Sequence, residues 1–106
     1  MPDLSVVFSA LGNPARLSIV DHLRRRGEQP VAALKARSGL SGPALSRHLK
    51  RLREAGVLQV RGDAQQRLYS IRPKALRALA DWAEDRPQSR GSGLDRLDAL
   101  LKKARH

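Results

Sequence analysis

A chain of 106 residues is one domain's worth of sequence; 41% of it is hydrophobic, with one Phe, one Trp and one Tyr, so the core must be built from aliphatic side chains. The absence of cysteine excludes disulfides, thiolate metal ligands and thiol redox chemistry, and no apolar run approaches the roughly 18 residues of a membrane span. A net charge of +11, from 21 Lys and Arg against 10 Asp and Glu, makes a polyanion the default partner, and nucleic acid is the commonest polyanion.

The stretch DLSVVFSAL (3–11) predicts a short helix with Leu4, Val7, Phe8 and Leu11 apolar. The opening MPDLSVVFSALG is short and acidic, unlike a signal peptide. GNP (12–14) breaks the helix, with Asn13 suited to an N-cap and Pro14 to a first helical residue. ARLSIVDHLRRRG then predicts a second helix with Leu17, Val20 and Leu23 inward and Gly27 closing it. Its terminal Arg24, Arg25 and Arg26 suit the negative end of the helix dipole. VAALKARSG (31–39) predicts a third helix, and 40–42 a tight turn.

The next run, SGPALSRHLKRLREAGVL (41–58), combines leucines and cations at helical spacing. Leu45, Leu49 and Leu52 fall on one stripe at i, i+4, i+7, as a core-facing helix requires. Pro43, Arg47, Lys50, Arg51 and Glu54 point the other way, with Ser46 on the shoulder of that front and His48 beside the leucines. Ser41 suits the N-cap and Gly56 the C-terminal stop. Two short helices joined by about four residues including Gly make a helix-turn-helix, whose second helix enters the major groove of DNA.

The pattern then changes. VLQVR (57–61) and RLYSI (67–71), separated by the polar GDAQQ, predict a β-hairpin with Arg61 and Arg67 flanking the turn. A helix-turn-helix followed at once by a basic-tipped hairpin is a winged helix, so the expected fold is mostly α with one small hairpin. Pro73 opens a fifth helix (73–85) with Leu76, Leu79, Ala80, Trp82 and Ala83 on its apolar side. Residues 86–93, with Pro87, Gly91 and Gly93, should break it. Residues 94–106 then form a terminal helix with Leu94, Leu97, Leu100 and Leu101 on one side, an apolar face that asks for a dimer partner. The domain expectation is a DNA-binding unit over 1–85, a break over 86–93 and a dimerisation helix over 94–106.

FSALGNPARLSIVDHL, LSGPALSRHLKRLREAGVLQVR and QRLYSIRP together resemble the bacterial ArsR-type winged-helix repressors over roughly residues 4–85. The S-x-P-x-x-S-x-H-L-x-x-L-x-x-A-G run at 41–56 is the most specific part. The later ALADWAED and LDRLDALL resemble a metal-independent subgroup. The resemblance implies a homodimer held by the first and last helices, binding a palindromic operator in double-stranded DNA. It maps Pro43, Ser46, Arg47 and Lys50 to the major-groove face, and Arg61, Gln65, Gln66 and Arg67 to the wing; Ser41 and Arg51 are further DNA-binding candidates on the same helix. Metal-sensing members of that family use cysteines, or an Asp/His set on the fifth helix. This chain has no cysteine, and its histidines stand at 22, 48 and 106. No metal and no cofactor is therefore expected, and the small-molecule effector is left unassigned. Many relatives carry a polar reader where this chain has Gly42, so base readout there should be weaker.

Arg47 and Lys50 are the strongest candidates for base contact, because Arg pairs bidentately with guanine and Lys serves a base or a phosphate. Arg24, Arg25, Arg26, Lys35 and Arg37 are candidates for phosphate contact, which sets affinity and not sequence. His48 is expected to be a packed, hydrogen-bonded histidine, and Trp82 to lie in core or dimer packing. No phosphate loop, carboxylate cluster or nucleophile–base pair suggests an enzyme. A cytoplasmic, membrane-free DNA-binding repressor is the expectation. The alternative is a winged-helix protein-docking module or a non-specific nucleic-acid binder.

Overall fold

Three antiparallel strands and a helix-turn-helix share one apolar core in the computed structural model, which describes residues 3–84. The order is α1 (Leu4–Leu11), α2 (Pro14–Arg26), β1 (Gln29–Pro30), α3 (Val31–Ser38), α4 (Gly42–Glu54), β2 (Leu58–Asp63), β3 (Gln66–Ile71) and α5 (Pro73–Glu84). The expected break over 86–93 and the terminal helix over 94–106 lie outside the described residues.

The helix starts follow their capping chemistry. Asp3 accepts from the Ser5 amide at 3.0 Å, Asn13 from the Arg16 amide at 3.1 Å, and Ser41 from the Ala44 amide at 3.2 Å. Each satisfies one of the amide donors that a helix start leaves unpaired. Pro14 and Pro43 sit in the first turns of their helices, where a missing N–H costs nothing.

One end of α4 decides the rest of the topology. Gly56 takes φ +81°, a left-handed conformation that L side chains rarely adopt. Its amide donates to Arg53 O at 2.9 Å, and the Val57 amide donates to Leu52 O at 2.9 Å. This is a Schellman motif, completed by its usual hydrophobic contact, since Leu52 and Val57 are both fully buried. It turns the chain directly from α4 into β2.

The sheet order is β1-β3-β2. In the β2–β3 pair, Leu58 faces Ile71, Val60 faces Tyr69, Arg61 faces Leu68 and Asp63 faces Gln66. The hairpin therefore extends further than the sequence suggests. Gly62 and Asp63 belong to β2, and the turn is only Ala64 and Gln65. Ala64, not Gly62, takes the positive φ, at 55°. The reason is register: Gly62 is held opposite Arg67 in the ladder, so the reversal falls one step later. The third strand, β1, was not anticipated. Its two residues pair with β3 as Gln29 to Tyr69 and Pro30 to Leu68.

The core gathers Val7 and Ala10 of α1, Ile19, Val20 and Leu23 of α2, Leu34 of α3, the α4 leucines, and Leu58 and Tyr69 of the hairpin. Leu45, Leu49 and Leu52 are each at most 2% exposed, as their spacing predicts. Burying one such side chain contributes about 1.5–3 kcal/mol. One inward assignment is corrected. Leu17 is 53% exposed, and Ile19 takes the buried place. On α1, Phe8 is 46% exposed, while Val7 and Ala10 face the core. For α2, steps of three residues drift by about 60° each, so 17, 20 and 23 cannot share one stripe. The stripe is 16, 19, 20 and 23, and its first member is Arg16.

Candidate nucleic-acid interface

With its leucine side committed to the core, α4 presents Ser46, Arg47, Lys50 and Arg51 to solvent, and Pro43 is exposed in its first turn. The expected front of the helix is thus assembled. Ser41 is exposed as well, with its hydroxyl spent on capping the helix. Gly42 is half-buried, and a Cβ there would come no closer than 3.8 Å to Lys35 Nζ, so the bare position reflects no steric demand.

The cations differ in their engagement. Three ion pairs form among the described residues: Asp21 with Arg24 at 2.8 Å, Asp21 with Arg25 at 3.1 Å, and Glu28 with Arg61 at 2.8 Å. Arg47, Lys50 and Arg67 are in none of them. Arg24 and Arg25, offered by the sequence as phosphate ligands, are tied to Asp21. The hydrogen bond from Arg24, with help from Arg25, holds the Asp21 carboxyl below its usual 3.8. Arg51 leans away from the front and donates to Ser9 Oγ on α1 at 3.3 Å.

On the wing, Gln65 stands in the turn, with Gln66 and Arg67 at the start of β3, all exposed. Arg61 differs. Its Nε donates to Glu28 Oε2 and its Nη2 to Glu28 Oε1, both at 2.8 Å, a bidentate pair across 33 positions of chain. The hydrogen bond from Arg61 lowers the Glu28 carboxyl below 4.5 and raises the guanidinium in turn. No sequence signal singled out Glu28; its role follows from β1, which carries the α2–α3 connection to the edge of the wing.

His48 is half-buried, as its place beside the leucines suggests, and Arg16 Nη1 lies 3.4 Å from its Nδ1. Arginine has only donors, so a hydrogen bond between the two requires Nδ1 as the acceptor. Trp82 is also half-buried and meets the edge of Phe8 with ring centroids 5.5 Å apart and planes at 74°. Phe8 and Trp82 thus join α1 to α5.

His22 borders a cavity of about 70 Å³ between α2 and α3, with Leu34, Arg37 and Leu40 on its other sides. Burial first, then the charges of Arg37 and Arg26, push the imidazole below its usual 6.5, against the opposing Asp21. Among the described residues no three His, Asp or Glu side chains cluster as a metal site requires, and no helix is long and apolar enough to cross a membrane.

This arrangement has counterparts among known proteins. The sequence family described as a helix-turn-helix domain matches residues 11–61, from the end of α1 into β2. The nodulation protein NolR of Rhizobium meliloti is 44% identical over 78 residues, covering 70% of this chain and 63% of the relative's length. The HTH-type transcriptional regulator YgaV of Escherichia coli is 35% identical over 75 residues, covering 71% of this chain and 76% of the relative. A crystal structure described as an ArsR family transcriptional regulator superposes with a TM-score of 0.71 over 93% of this chain and 96% of its own. At 21% identity that last likeness establishes the fold alone.

Proposed function

This chain belongs to the ArsR-type winged helix-turn-helix transcriptional regulators, and from that premise we propose that it is a homodimeric, cytoplasmic repressor of a palindromic operator. The observation that carries this reading is the division of α4. Leu45, Leu49 and Leu52 are buried, while Ser46, Arg47 and Lys50 stand exposed, the two cations outside every ion pair among the described residues. A helix so divided docks firmly on its own domain and offers base-reading donors outward. The turn of the wing, with Gln65, Gln66 and Arg67, extends the contact to backbone or minor groove.

Of the two helices expected to hold the dimer, the terminal one over 94–106 lies outside the described residues, and the first, α1, supports the reading through its contact with α5. Val6 and Phe8 of α1 are 44% and 46% exposed, and Phe8 is joined to Trp82 of α5, so the apolar surface is continuous across both helices. Apolar surface of this kind marks an interaction site. Repression independent of metal is supported by a sequence without cysteine and by the lack of histidine on α5.

Selection of bound duplexes from a random pool at physiological salt tests the reading. A palindromic motif with half-sites about one helical turn apart is expected. Recovery of duplexes without any enriched motif would replace the repressor by a non-specific nucleic-acid binder. Recovery of none would point to protein docking.

A further inference from the structure

We propose that Glu28 is an internal competitor of DNA phosphate for the wing arginine, Arg61, and so sets the affinity of the wing for any duplex. The inference rests on the DNA-binding reading above and deepens it.

The geometry is specific. Both Glu28 carboxylate oxygens receive donors from one edge of the Arg61 guanidinium, each at 2.8 Å. That planar fork is the same one with which arginine takes a phosphate. While Glu28 holds it, the edge best shaped for the DNA backbone is occupied, and a carboxylate lies where a phosphate would have to approach. Glu28 is well placed to do this. It directly precedes β1, whose Pro30 pairs with Leu68 of β3, and Leu68 in turn pairs with Arg61 of β2. The three-strand ladder thus holds the segment just before β1 two residues from the row that contains Arg61, and the two long side chains close that distance.

The pair is also breakable. The Arg61 side chain is 60% exposed and that of Glu28 32% exposed. Ion pairs this open to water are weak and screened by salt. A dense phosphate backbone therefore competes with Glu28 for the fork, and Glu28 subtracts from the result. Arg67, in no ion pair among the described residues, is the wing cation that acts without this restraint.

The test is a double-mutant cycle on the full chain, using a random-sequence 30-base-pair duplex and, separately, the selected operator. Glu28→Gln should tighten binding to both by about 3- to 5-fold and steepen the salt dependence by about 0.9, as one more neutralised phosphate predicts. Arg61→Ala should weaken the wild-type chain only slightly, and should abolish the gain when combined with Glu28→Gln. Urea titration of each variant confirms that the fold is intact. A gain from Glu28→Gln that persists in the Arg61→Ala background would overturn the proposal, since any removed negative charge would then serve. Unchanged or weaker binding by Glu28→Gln would overturn it too, leaving the pair as a brace for the wing. A wild-type chain that binds no duplex would remove the DNA-binding reading and this proposal together. The first two outcomes leave that reading standing.

Discussion

Arg16 joins α1 to α4 through a single guanidinium: its Nε donates to Ala10 O at 2.6 Å, and its Nη1 lies 3.4 Å from His48 Nδ1. Ala10 O belongs to the last turn of α1, whose carbonyls lack helical partners. His48 sits on α4 between the buried leucines and the exposed cations. The half-buried Arg16 thus braces α4 against α1.

This brace should be measurable as a coupling. Arg16→Ala and His48→Ala, singly and together, are expected to show an interaction energy of about 0.5–3 kcal/mol in urea unfolding. Arg16→Ala alone should cost the larger amount, about 1.5–3 kcal/mol, because it also strips Ala10 O of its charged donor. Strict additivity in the double variant would mean that the 3.4 Å contact contributes nothing.

Arg47→Ala should cost about 1–3 kcal/mol on the selected operator and relax the preference at one base pair. Lys50→Ala, if its role is a phosphate contact, should weaken operator and scrambled duplex alike and lower the salt slope by about 1. Fluorescence anisotropy on the two duplexes separates these roles. Equal losses for Arg47→Ala on both would reassign it to the backbone.

Ala64→Gly should stabilise the chain. A non-glycine residue in the left-handed region costs about 1–2 kcal/mol, and glycine's extra freedom in the unfolded chain takes back about 0.4–1 kcal/mol. The net expectation is a gain of roughly 0.5–1 kcal/mol, read as a higher urea midpoint with an unchanged slope. A loss of stability would show that the positive φ of 55° is relaxed in solution.

Stability should fall as pH drops below about 6.5, in part through His22. Its folded-state proton affinity is below the ordinary value of 6.5, so the unfolded chain binds more protons in that window. The contribution is complete above the unfolded value and is lost as pH falls toward the folded one. His22→Gln should therefore flatten the difference in urea midpoint between pH 7.5 and pH 5.5. The carboxylates of Asp21 and Glu28, lowered from 3.8 and 4.5, act in the same direction but below that window. An identical pH slope in wild type and variant would remove His22 from the account.

Much of this architecture is legible in the residues. The α4 leucines at i, i+4, i+7, the caps Asn13 and Ser41, and the stops Gly27, Gly39 and Gly56 mark the helices, and the composition of 57–71 marks the hairpin. What escapes has a physical cause in each instance. A strand of two residues, Gln29–Pro30, has no period to detect. The α2 stripe begins with an arginine, so a pattern drawn through aliphatic side chains slides to Leu17. The turn position depends on ladder register, which Gly62 disguises. The Glu28–Arg61 pair is formed by residues 33 positions apart, and only the pairing of β1 with β3 brings the two strands' neighbours together. On the candidate interface, the exposed residues of α4 follow from helical geometry alone, whereas the engagement of Arg24, Arg25, Arg51 and Arg61 depends on partners that composition does not reveal.

The brevity of β1 has one more consequence. By pairing Gln29 with Tyr69 and Pro30 with Leu68, it clamps the start of α3 to the inner strand of the wing. Since α4 also passes straight into β2 through the Gly56 turn, α4 and the wing form a caliper with its jaws locked. Under the proposed function, the span between a base met by Arg47 and a phosphate met by Arg67 would be set by the protein, and the DNA would have to supply the matching distance. An operator with a single base pair inserted between those two contacts cannot be accommodated by stretching the linker, because no slack linker joins them.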